Sequence, residues 1–587
     1  MKGSFWGNVI GYVGVPLFLI WGAHKLVMWA LLAVGASLWL ADKLAILASL
    51  GVIVFLIVLR FRPAGGPAMG KPSQTTRTGR KVTDYVFGFL TTERVWWFWK
   101  RRLFLTNPDA GTLILGGAGA GKSKSVIEPI IDEAIEKGFT GILYDFKYPE
   151  LAEVAQTAIN RSKGSVKSYV VNFDNLNQSN RVNPIDPALL HTSSHARTAA
   201  QTVIKNLFPP SQGGDNFFVK NATTYLTGII WFLKEEHPEL CTLPHAIALA
   251  NEPVSKVVAL LASNREVAGT IASIRTAVEE KAGGQLAAVV STLQDSLSTL
   301  NTPKIAWVLT GSDFTLDLNN PEAPKFLTLG NNRKLKGAYS PVLALITTVA
   351  LGEMNAKGKS RSIVILDEAP TLYIPDFSEI PATARGARVA SVFCAQDISQ
   401  IVSMYGEQEK DAILANLANK FYGRVNHPQT AQYIASMWGK EQVLQRSQSI
   451  SDGSEHSMTR QKSHQLSITD RDRIQIQEVL ELETGEFFGQ LIESDVSYFR
   501  ARMKPKSIEL TPLGIINEVS DEQVKINFNT IHQSISDLFN SQPSKPQQEL
   551  RAEPKPVPPT PEPARSEKAA NGMNGVVRNV KGTTDEF

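Results

Sequence analysis

The chain has 587 residues, of which 43% are hydrophobic and 20% are charged, so it is long enough for several domains with buried cores. Its formal net charge of only +4 excludes a globally basic protein, and any nucleic-acid-binding surface must be a local patch. The two cysteines, Cys241 and Cys394, fall in apolar segments. They favour a reducing compartment and argue against disulfides or a zinc site.

The first 60 residues differ from the rest. They contain three apolar runs, 9–23, 26–41 and 44–59, interrupted by short charged pairs. Because a bilayer span needs about 20 residues, two spans joined by a tight turn at 42–43 are the simplest interpretation. Three short spans are the alternative, and a cleaved signal peptide is disfavoured because a further apolar run follows the first. Residues 1–60 are therefore predicted to be a transmembrane anchor.

A basic juxtamembrane segment, 61–102, follows this anchor. Between Arg60 and Arg102 there are ten Lys or Arg residues and only two acidic ones. Positive charge beside a span stays on the cytoplasmic side, so the large domain is predicted to be cytoplasmic. The run 94–102 mixes tryptophans with cations, and it fits either a segment along the bilayer surface or a core helix with a charged end.

Residues 112–125 carry the strongest chemical signal, an apolar run followed by Gly-x-x-x-x-Gly-Lys-Ser. This spacing predicts a phosphate-binding loop whose backbone N–H groups surround a phosphate, with Lys122 on the β/γ-phosphates and Ser123 on Mg²⁺. A chance glycine-rich turn is the alternative, but a strand-like run precedes the loop and a helix-like run follows it. We predict that the chain binds ATP through Gly116, Gly117, Ala118, Gly119, Ala120, Gly121, Lys122, Ser123 and Ser125.

The soluble part alternates short strand-like runs with helical patterns. The runs are continuously apolar, as in parallel strands covered on both faces, and lie at 112–117, 141–147, 168–173, 325–330, 362–368, 389–396 and 420–425. Between 186 and 311 only helical spacing occurs, at 195–208, 216–236, 243–262, 267–280 and 285–300. The predicted fold is N-terminal transmembrane α-helices plus an α/β RecA-like P-loop nucleotide-binding domain with an all-α insertion domain.

The rest of the chain completes the predicted domain plan. Residues 445–464 are polar and predict a mobile loop, 486–503 predict a final hairpin, and the Pro-rich tail after 542 is either a partner-binding segment or a spacer. The predicted domains are an anchor 1–60, a basic segment 61–102, a nucleotide-binding domain in two parts 103–185 and 312–510, an all-α domain 186–311, and a mostly disordered tail 511–587.

Two carboxylates, Asp367 and Glu368, end the apolar run that begins at Ser362. ATP hydrolysis needs an acidic group to hold the metal, a role that we assign to Asp367, and a base beside the γ-phosphate, which fits Glu368. A base here favours hydrolysis over phosphotransfer to a small acceptor. The alternative is a strand that ends in solvated acids.

Other polar residues lie beside these strands. Gln396 ends the next strand, where its amide can bond the γ-phosphate or the attacking water, although a polar strand cap is the alternative. Asp145 and Lys147 end another strand and are candidates for the same pocket. Arg385 precedes strand 389–396, where an Arg is usually solvated, but ring ATPases place such an Arg against a neighbour's γ-phosphate. The predicted catalytic residues are Lys122, Glu368, Arg385 and Gln396, with Arg388 and Arg424 as competitors for the arginine that acts in trans.

Together these motifs resemble the TraG/TraD-type coupling proteins of type IV secretion systems, which belong with FtsK and HerA among hexameric DNA-pumping ATPases. The similarity covers about residues 1–505. One departure is the family's Asp-Pro-Lys-Gly-Glu turn, which reads Asp145-Phe-Lys-Tyr-Pro-Glu150 here. The matching features in chain order are the N-terminal spans, 116–123, 145–150, 215–218, 366–368, 385–389, 396–400, 421–426, 445–464 and 468–470.

The resemblance implies a multi-pass ATPase of the bacterial inner membrane that forms a homo-hexamer. It would recruit the relaxosome, the processed DNA with its relaxase, to the secretion channel proteins and drive single- or double-stranded DNA through the membrane in conjugation. Three alternatives stay open: a coupling ATPase for protein effectors, a membrane-bound ATP-binding adaptor without translocation, and a chromosome-segregating DNA pump.

Overall fold

The computed structural model describes residues 87–96, 99–162, 166–210, 217–279, 283–451, 461–494 and 497–540, together with single residues and short stretches between 25 and 50. Most of the predicted anchor, residues 61–86 of the basic segment and the tail from 541 lie outside the described residues. The predictions for those segments stay predictions.

The described strands, numbered in chain order, form one large mixed sheet and two separate ribbons. Their bounds are β1 Phe87–Trp96, β2 Trp99–Leu105, β3 Thr112–Leu115, β4 Thr140–Asp145, β5 Lys167–Val171, β6 Lys325–Gly330, β7 Ser362–Leu366, β8 Val389–Ala395, β9 Asn419–Tyr422, β10 Lys440–Ser451, β11 Gln461–Asp472, β12 Glu486–Gln490 and β13 Tyr498–Arg502.

The large sheet has nine strands in the order β13-β12-β9-β3-β8-β7-β4-β6-β5. The seven strands from β9 to β5 run parallel, and β12 and β13 add an antiparallel hairpin at one edge. These seven are the strands that the apolar runs predicted, and the final hairpin is also confirmed. Because β8 lies between β3 and β7, the carboxyl ends of those three strands are neighbours.

The helices cover both faces of the sheet, and those between β5 and β6 form a helical region that shares the main core with the sheet. Their bounds are α1 Glu128–Glu136, α2 Glu150–Arg161, α3 Ser193–Leu207, α4 Phe217–Glu236, α5 Leu243–Ala250, α6 Val254–Leu261, α7 Arg265–Thr270, α8 Ala272–Glu279, α9 Gly283–Ser298, α10 Pro303–Leu309, α11 Lys336–Met354, α12 Ile380–Thr383, α13 Ile398–Tyr405, α14 Glu407–Asn416, α15 Pro428–Ser436, α16 Ile476–Leu480 and α17 Asp521–Asn540.

The helical region comprises α3 to α10, and its described residues include no strand. Two of the predicted helices are each split in two: 243–262 becomes α5 and α6, and 267–280 becomes α7 and α8. The first break falls at Pro253, which has no backbone N–H to continue the helical bonds of α5. The domain boundaries at 186 and 311 stay a prediction.

Within the tryptophan-rich run 94–102, the described residues 94–96 and 99–102 are extended, so the core-helix interpretation is wrong. β1 pairs with β2 in an antiparallel hairpin, with Arg94 opposite Lys100 and Trp96 opposite Trp99. Alternate residues of its base, including Phe87 and Phe89, are buried against the layer that contains α1. That period of two is the strand signal that the high density of tryptophan and charge obscured.

The polar segment 445–464 is not the predicted mobile loop where it is described. β10 and β11 pair over twelve residues, from Lys440 opposite Asp472 to Ser451 opposite Gln461. Residues 452–460 lie outside the described residues. The composition misled the prediction because a two-stranded ribbon satisfies its backbone hydrogen bonds by pairing and needs no apolar run.

The tail also begins later than predicted, because α17 occupies 20 of the residues that were expected to be mostly disordered. Its buried residues, Val524, Ile531, Ile535 and Leu538, recur at helical spacing. The segment before it is held along the domain by backbone bonds, such as Ile516 N to the Asn177 carbonyl (2.7 Å). The prediction of disorder is wrong for 521–540.

Among the described residues, one helix is long and apolar enough to cross a membrane, namely α11. It is mostly buried and packs in the main core against helices such as α3. Its apolar character is thus that of a core helix.

Candidate active site

The loop at 116–121 continues β3 and turns sharply at its carboxyl end. Gly116 N donates to the Ala395 carbonyl (3.2 Å) and Gly117 N to the Arg424 carbonyl (2.7 Å), which fixes the loop between β8 and β9. Gly119 and Gly121 have φ of +77° and +90°, a conformation that favours glycine. At Gly121 a Cβ atom would also lie only 2.8 Å from the backbone N of Gly485.

A helical turn follows the loop at once. Ser125 N donates to the Gly121 carbonyl (2.9 Å), and a wider turn over Ser123–Ile127 leads into α1. The first N–H groups of such a helix have no partner within it, and they carry the positive end of the helix dipole. The loop and the start of the helix therefore have the geometry that an anion-binding site requires, and their role in binding phosphate stays a prediction. Ser123 is half-buried. The Ser125 hydroxyl lies beside Gly121 and Gly485, within contact distance of the position that a Cβ atom on either glycine would occupy.

Lys122 is buried at the start of this helix, and its ammonium donates to the Gly116 carbonyl. Burial lowers the pKa of Lys122 below its ordinary value, whereas the carboxylates of Glu368 and Asp367 oppose that shift. The fold therefore holds the Lys122 ammonium close to the carboxylates of both Asp367 and Glu368.

Asp367 and Glu368 follow β7 and are both buried. Burial, with the neighbouring Glu368 charge, raises the pKa of Asp367 to about 6, and Lys122 and Lys147 act in the opposite direction. Glu368 takes a left-handed conformation (φ +59°), and its carbonyl accepts from the Thr371 hydroxyl (2.7 Å). The chain thus turns sharply after the strand, and both carboxylates lie near Lys122.

Gln396 joins this group from β8. Its side-chain amide donates to Glu368 Oε2 (3.0 Å). Glu368 Oε1 is also buried, and nothing in the described part of the chain hydrogen-bonds to it. A buried carboxylate with one anchored and one unpaired oxygen is suited to accept a proton or hold a water. The structure therefore brings Lys122, Asp367, Glu368 and Gln396 together at one edge of the sheet.

Asp145 lies at the end of β4, but its carboxylate serves the backbone. It accepts from the N–H groups of Lys147 (3.1 Å), Leu151 (2.9 Å) and Ala152 (3.0 Å), and so it ties the turn and the start of α2 to the strand. Complete burial raises the pKa of Asp145 to about 7. Lys147 is exposed and acts on the site through its charge beside Asp367.

The three candidate arginines lie in two different places. Arg385 and Arg388 are exposed and precede β8, at the edge of the sheet opposite the loop. Arg385 forms an ion pair with Glu493 (2.9 Å). Since β8 has seven residues, roughly 20 Å of strand separates this edge from Gln396.

Arg424 follows β9 and lies at the loop of its own subunit. Its carbonyl accepts from Gly117 N, and a Cβ on Gly119 would lie 3.9 Å from Arg424 Nη2. Arg424 therefore suits a role in cis, which the sequence could not distinguish from one in trans.

Sequence reasoning missed a second support of the loop, the turn at 484–485 before β12. The Thr484 hydroxyl donates to the Gly119 carbonyl (3.1 Å), and Gly485 N donates to the Ala120 carbonyl (2.9 Å). A Thr-Gly pair before a strand signals a turn, but no local pattern shows what the turn contacts. In the described part of the chain, no group of three or more His, Cys, Asp or Glu residues is placed to hold a metal ion by itself.

Comparison with known proteins adds to this geometry. The family model described as "Type IV secretory system Conjugative DNA transfer" matches residues 74–488. The chain belongs to this family. Its sequence is also 25% identical to the coupling protein TraD of Escherichia coli (strain K12) over 134 residues, which are 22% of this chain and 19% of TraD. The matched part thus spans about a fifth of that relative.

Solved structures of another coupling protein, TrwB, share the fold of this family member. The unbound form of TrwBdeltaN70 has a TM-score of 0.54 at 14% identity, covering 70% of this chain and 88% of that chain. The TrwB complex with ADP and Mg²⁺ has a TM-score of 0.52 at 13% identity, with coverage of 70% and 88%. The α/β architecture with its P-loop and mixed sheet is therefore that of the coupling proteins. The roles of individual site residues stay predictions.

Proposed function

We propose that the chain is an ATP hydrolase that drives DNA transfer in conjugation as the coupling protein of a type IV secretion system. One observation carries the enzymatic part: buried Lys122, Asp367 and Glu368 converge with Gln396 at the carboxyl ends of β3, β7 and β8. Burying two acids and a lysine costs stability, and such costly groups are concentrated in sites whose chemistry needs them, as phosphoryl transfer does.

The residues fit ATP and Mg²⁺. The loop offers backbone donors and Lys122 to the phosphates. Hydrolysis would begin when Glu368 removes a proton from water, and Gln396 orients the Glu368 carboxylate for this step. Ser123 and Asp367 would hold Mg²⁺, which supplies positive charge to the phosphates when bound. The raised pKa of Asp367 supports this assignment, because a carboxylate that is costly to ionise alone gains most from a cation. TrwB, which shares this fold, has been solved with ADP and Mg²⁺.

The cellular setting is part of the same proposal. The chain would be a multi-pass protein of the bacterial inner membrane with its large domain in the cytoplasm, assembled as a homo-hexamer, and would connect relaxosome and DNA to the channel proteins. Exposed apolar side chains near the N-terminus, such as Trp29 (75%) and Trp39 (71%), support a membrane anchor there. Family membership supports the DNA substrate.

The test is ATP hydrolysis by the detergent-solubilised full chain, together with plasmid transfer between mating cells. Lys122→Ala should abolish both activities, because the transferring phosphates lose a cation. Glu368→Gln should keep ATP binding and stop turnover, because an amide does not accept the proton. Lys124→Ala is the matched control, since the Lys124 side chain is exposed and pairs with Glu128, one helical turn further along the chain. Wild-type turnover in both site variants would refute the proposed function.

A further inference from the structure

The connection between β7 and β8, residues 367–388, runs from the carboxyl ends of the parallel strands to their amino ends, which form two opposite edges of the sheet. It begins at the carboxylates of the candidate site and ends at Arg385 and Arg388 beside the opposite edge. A shift in its middle would therefore reach both the base of this subunit and the arginines that face outwards. What holds that middle is thus important for turnover.

The middle of this connection is bound to the helical region by one side chain. On α3, Asn206 Oδ1 accepts from Tyr373 N (2.8 Å), and Asn206 Nδ2 donates to the Tyr373 carbonyl (2.8 Å). The same amide also donates to the Thr202 carbonyl (2.8 Å) within α3. A side chain that pairs with both backbone groups of one residue fixes the position of that residue and its orientation.

The other side of the connection is held by the nucleotide domain. Tyr405, on the helix that follows Gln396, donates from its hydroxyl to the Leu372 carbonyl (2.8 Å) and accepts from Ile374 N (3.3 Å). Its ring stacks on Tyr373, with centroids 5.4 Å apart. Residues 372–374 are thus clamped between the helical region and the helix behind the candidate site.

The link continues to the base. Thr371 bonds through its hydroxyl to the Glu368 carbonyl and to the Tyr144 hydroxyl (both 2.7 Å). Only three residues separate Glu368 from Leu372, and they form a tight helical turn, Ala369–Thr371. A displacement of α3 relative to the sheet would therefore act on Glu368 through a short and rigid segment.

Resting on the proposed function, we propose that Asn206 is a positioning residue that couples the helical region to Glu368. A displacement of the helical region relative to the sheet would be transmitted to the base through the pair of bonds between Asn206 and Tyr373. Asn206 touches neither nucleotide nor reacting atoms, so it changes the rate of turnover rather than the affinity for ATP.

The test uses the full chain with Asn206→Ala, and with Asn221→Ala as the matched control, because Asn221 bonds to the Phe217 carbonyl within its own helix. Asn206→Ala should lower kcat on the order of tenfold, the loss expected for two neutral hydrogen bonds, and leave KM for ATP within about twofold. Tyr373→Phe should have a small effect, because Asn206 bonds to the backbone of that residue.

A second readout does not depend on ATP turnover. Amide hydrogen exchange over 369–379 should be faster in Asn206→Ala than in the wild type and in Asn221→Ala. Unchanged exchange, or faster exchange with an unchanged kcat, would overturn the role of Asn206. A wild-type chain without ATP turnover would instead refute the proposed function, while hydrogen exchange would still report whether Asn206 holds the segment.

Discussion

The two edges of the central sheet carry different kinds of polar residue. At the carboxyl edge, Lys122, Asp367 and Glu368 are buried and contact their own chain. At the amino edge, Arg385 is 52% exposed and its ion pair with Glu493 is open to solvent. Exposed pairs of this kind contribute about 0–1 kcal/mol, so Arg385 can leave Glu493 at little cost.

The contrast fits the proposed hexamer, in which the carboxyl edge is the candidate pocket and the amino edge is the contact that supplies an arginine to a neighbouring subunit. The buried Lys122 and Glu368 are anchored by hydrogen bonds within their own chain, and one Glu368 oxygen is left for the reaction, whereas an exposed guanidinium is available to a second copy of the chain. In a ring, the amino edge of one subunit would then meet the carboxyl edge of the next.

Arg385→Ala should bind ATP normally and lose on the order of 10³-fold in turnover, as expected for an arginine that acts in trans. Mixed with Lys122→Ala subunits, it should recover part of the activity, because some interfaces then pair an intact loop with a neighbour's intact arginine. ATP hydrolysis measured across mixing ratios checks this. Absence of rescue at every ratio would assign the role to Arg388 or to a site completed within one subunit.

Arg424→Ala should behave differently, because Arg424 lies at the loop of its own subunit. Loss of a charged hydrogen-bond donor to the phosphates predicts about 10- to 100-fold weaker ATP binding, measured with a fluorescent ATP analogue. Mixing it with Lys122→Ala subunits should give no rescue, since both defects affect the same pocket. Rescue in this mixture would mean that Arg424 acts on the pocket of a neighbouring subunit rather than on its own.

The sequence predicted the carboxyl edge better than its surroundings. The P-loop and the Asp367–Glu368 pair are local patterns, and continuous apolar runs predicted all seven parallel strands. Strand order is not local. The register that puts Leu115 opposite both Ala395 and Tyr422 brings Arg424 and Gln396 to the loop, and no pattern within the runs contains that information.

The errors have a common cause. The ribbon of β10 and β11, the hairpin of β1 and β2, and helix α17 lie in stretches where composition was unusual: polar, tryptophan-rich or close to the Pro-rich tail. Composition reports whether a segment can supply core residues, but backbone pairing and a sparse apolar stripe need few of them. Four buried residues were enough to pack α17.

The buried carboxyl edge should also make stability depend on pH. Burial raises the pKa of Asp145 to about 7, against about 3.9 in an unfolded chain, so the native state holds this proton more tightly. This contribution is present below pH 4 and is lost as the pH rises to 7, by at most about 1.4 kcal/mol per unit for one proton. Urea unfolding of the nucleotide-free protein at pH 5, 6 and 7 should show that fall, and Asp145→Asn should flatten it. An unchanged slope in the variant would mean that Asp145 is already ionised at pH 5 and that burial does not raise its pKa into this range.

The smallest effect is expected from deleting the Pro-rich tail, because neither the carboxyl edge nor the amino edge of the sheet is built from it. Removing residues 541–587 should leave ATP turnover and the thermal unfolding midpoint unchanged, because a Pro-rich polar segment adds little to a packed core. Removing 521–587 also deletes α17 and its four buried apolar side chains, each worth roughly 1.5–3 kcal/mol when fully buried, so it should lower the midpoint. The pair of deletions separates the helix from the tail. Loss of turnover in the shorter deletion would mean that the tail contributes to one of the two edges. Mixing that variant with Lys122→Ala subunits would then show which edge is affected. Rescue would assign the tail to the contact between subunits, and absence of rescue would assign it to the pocket.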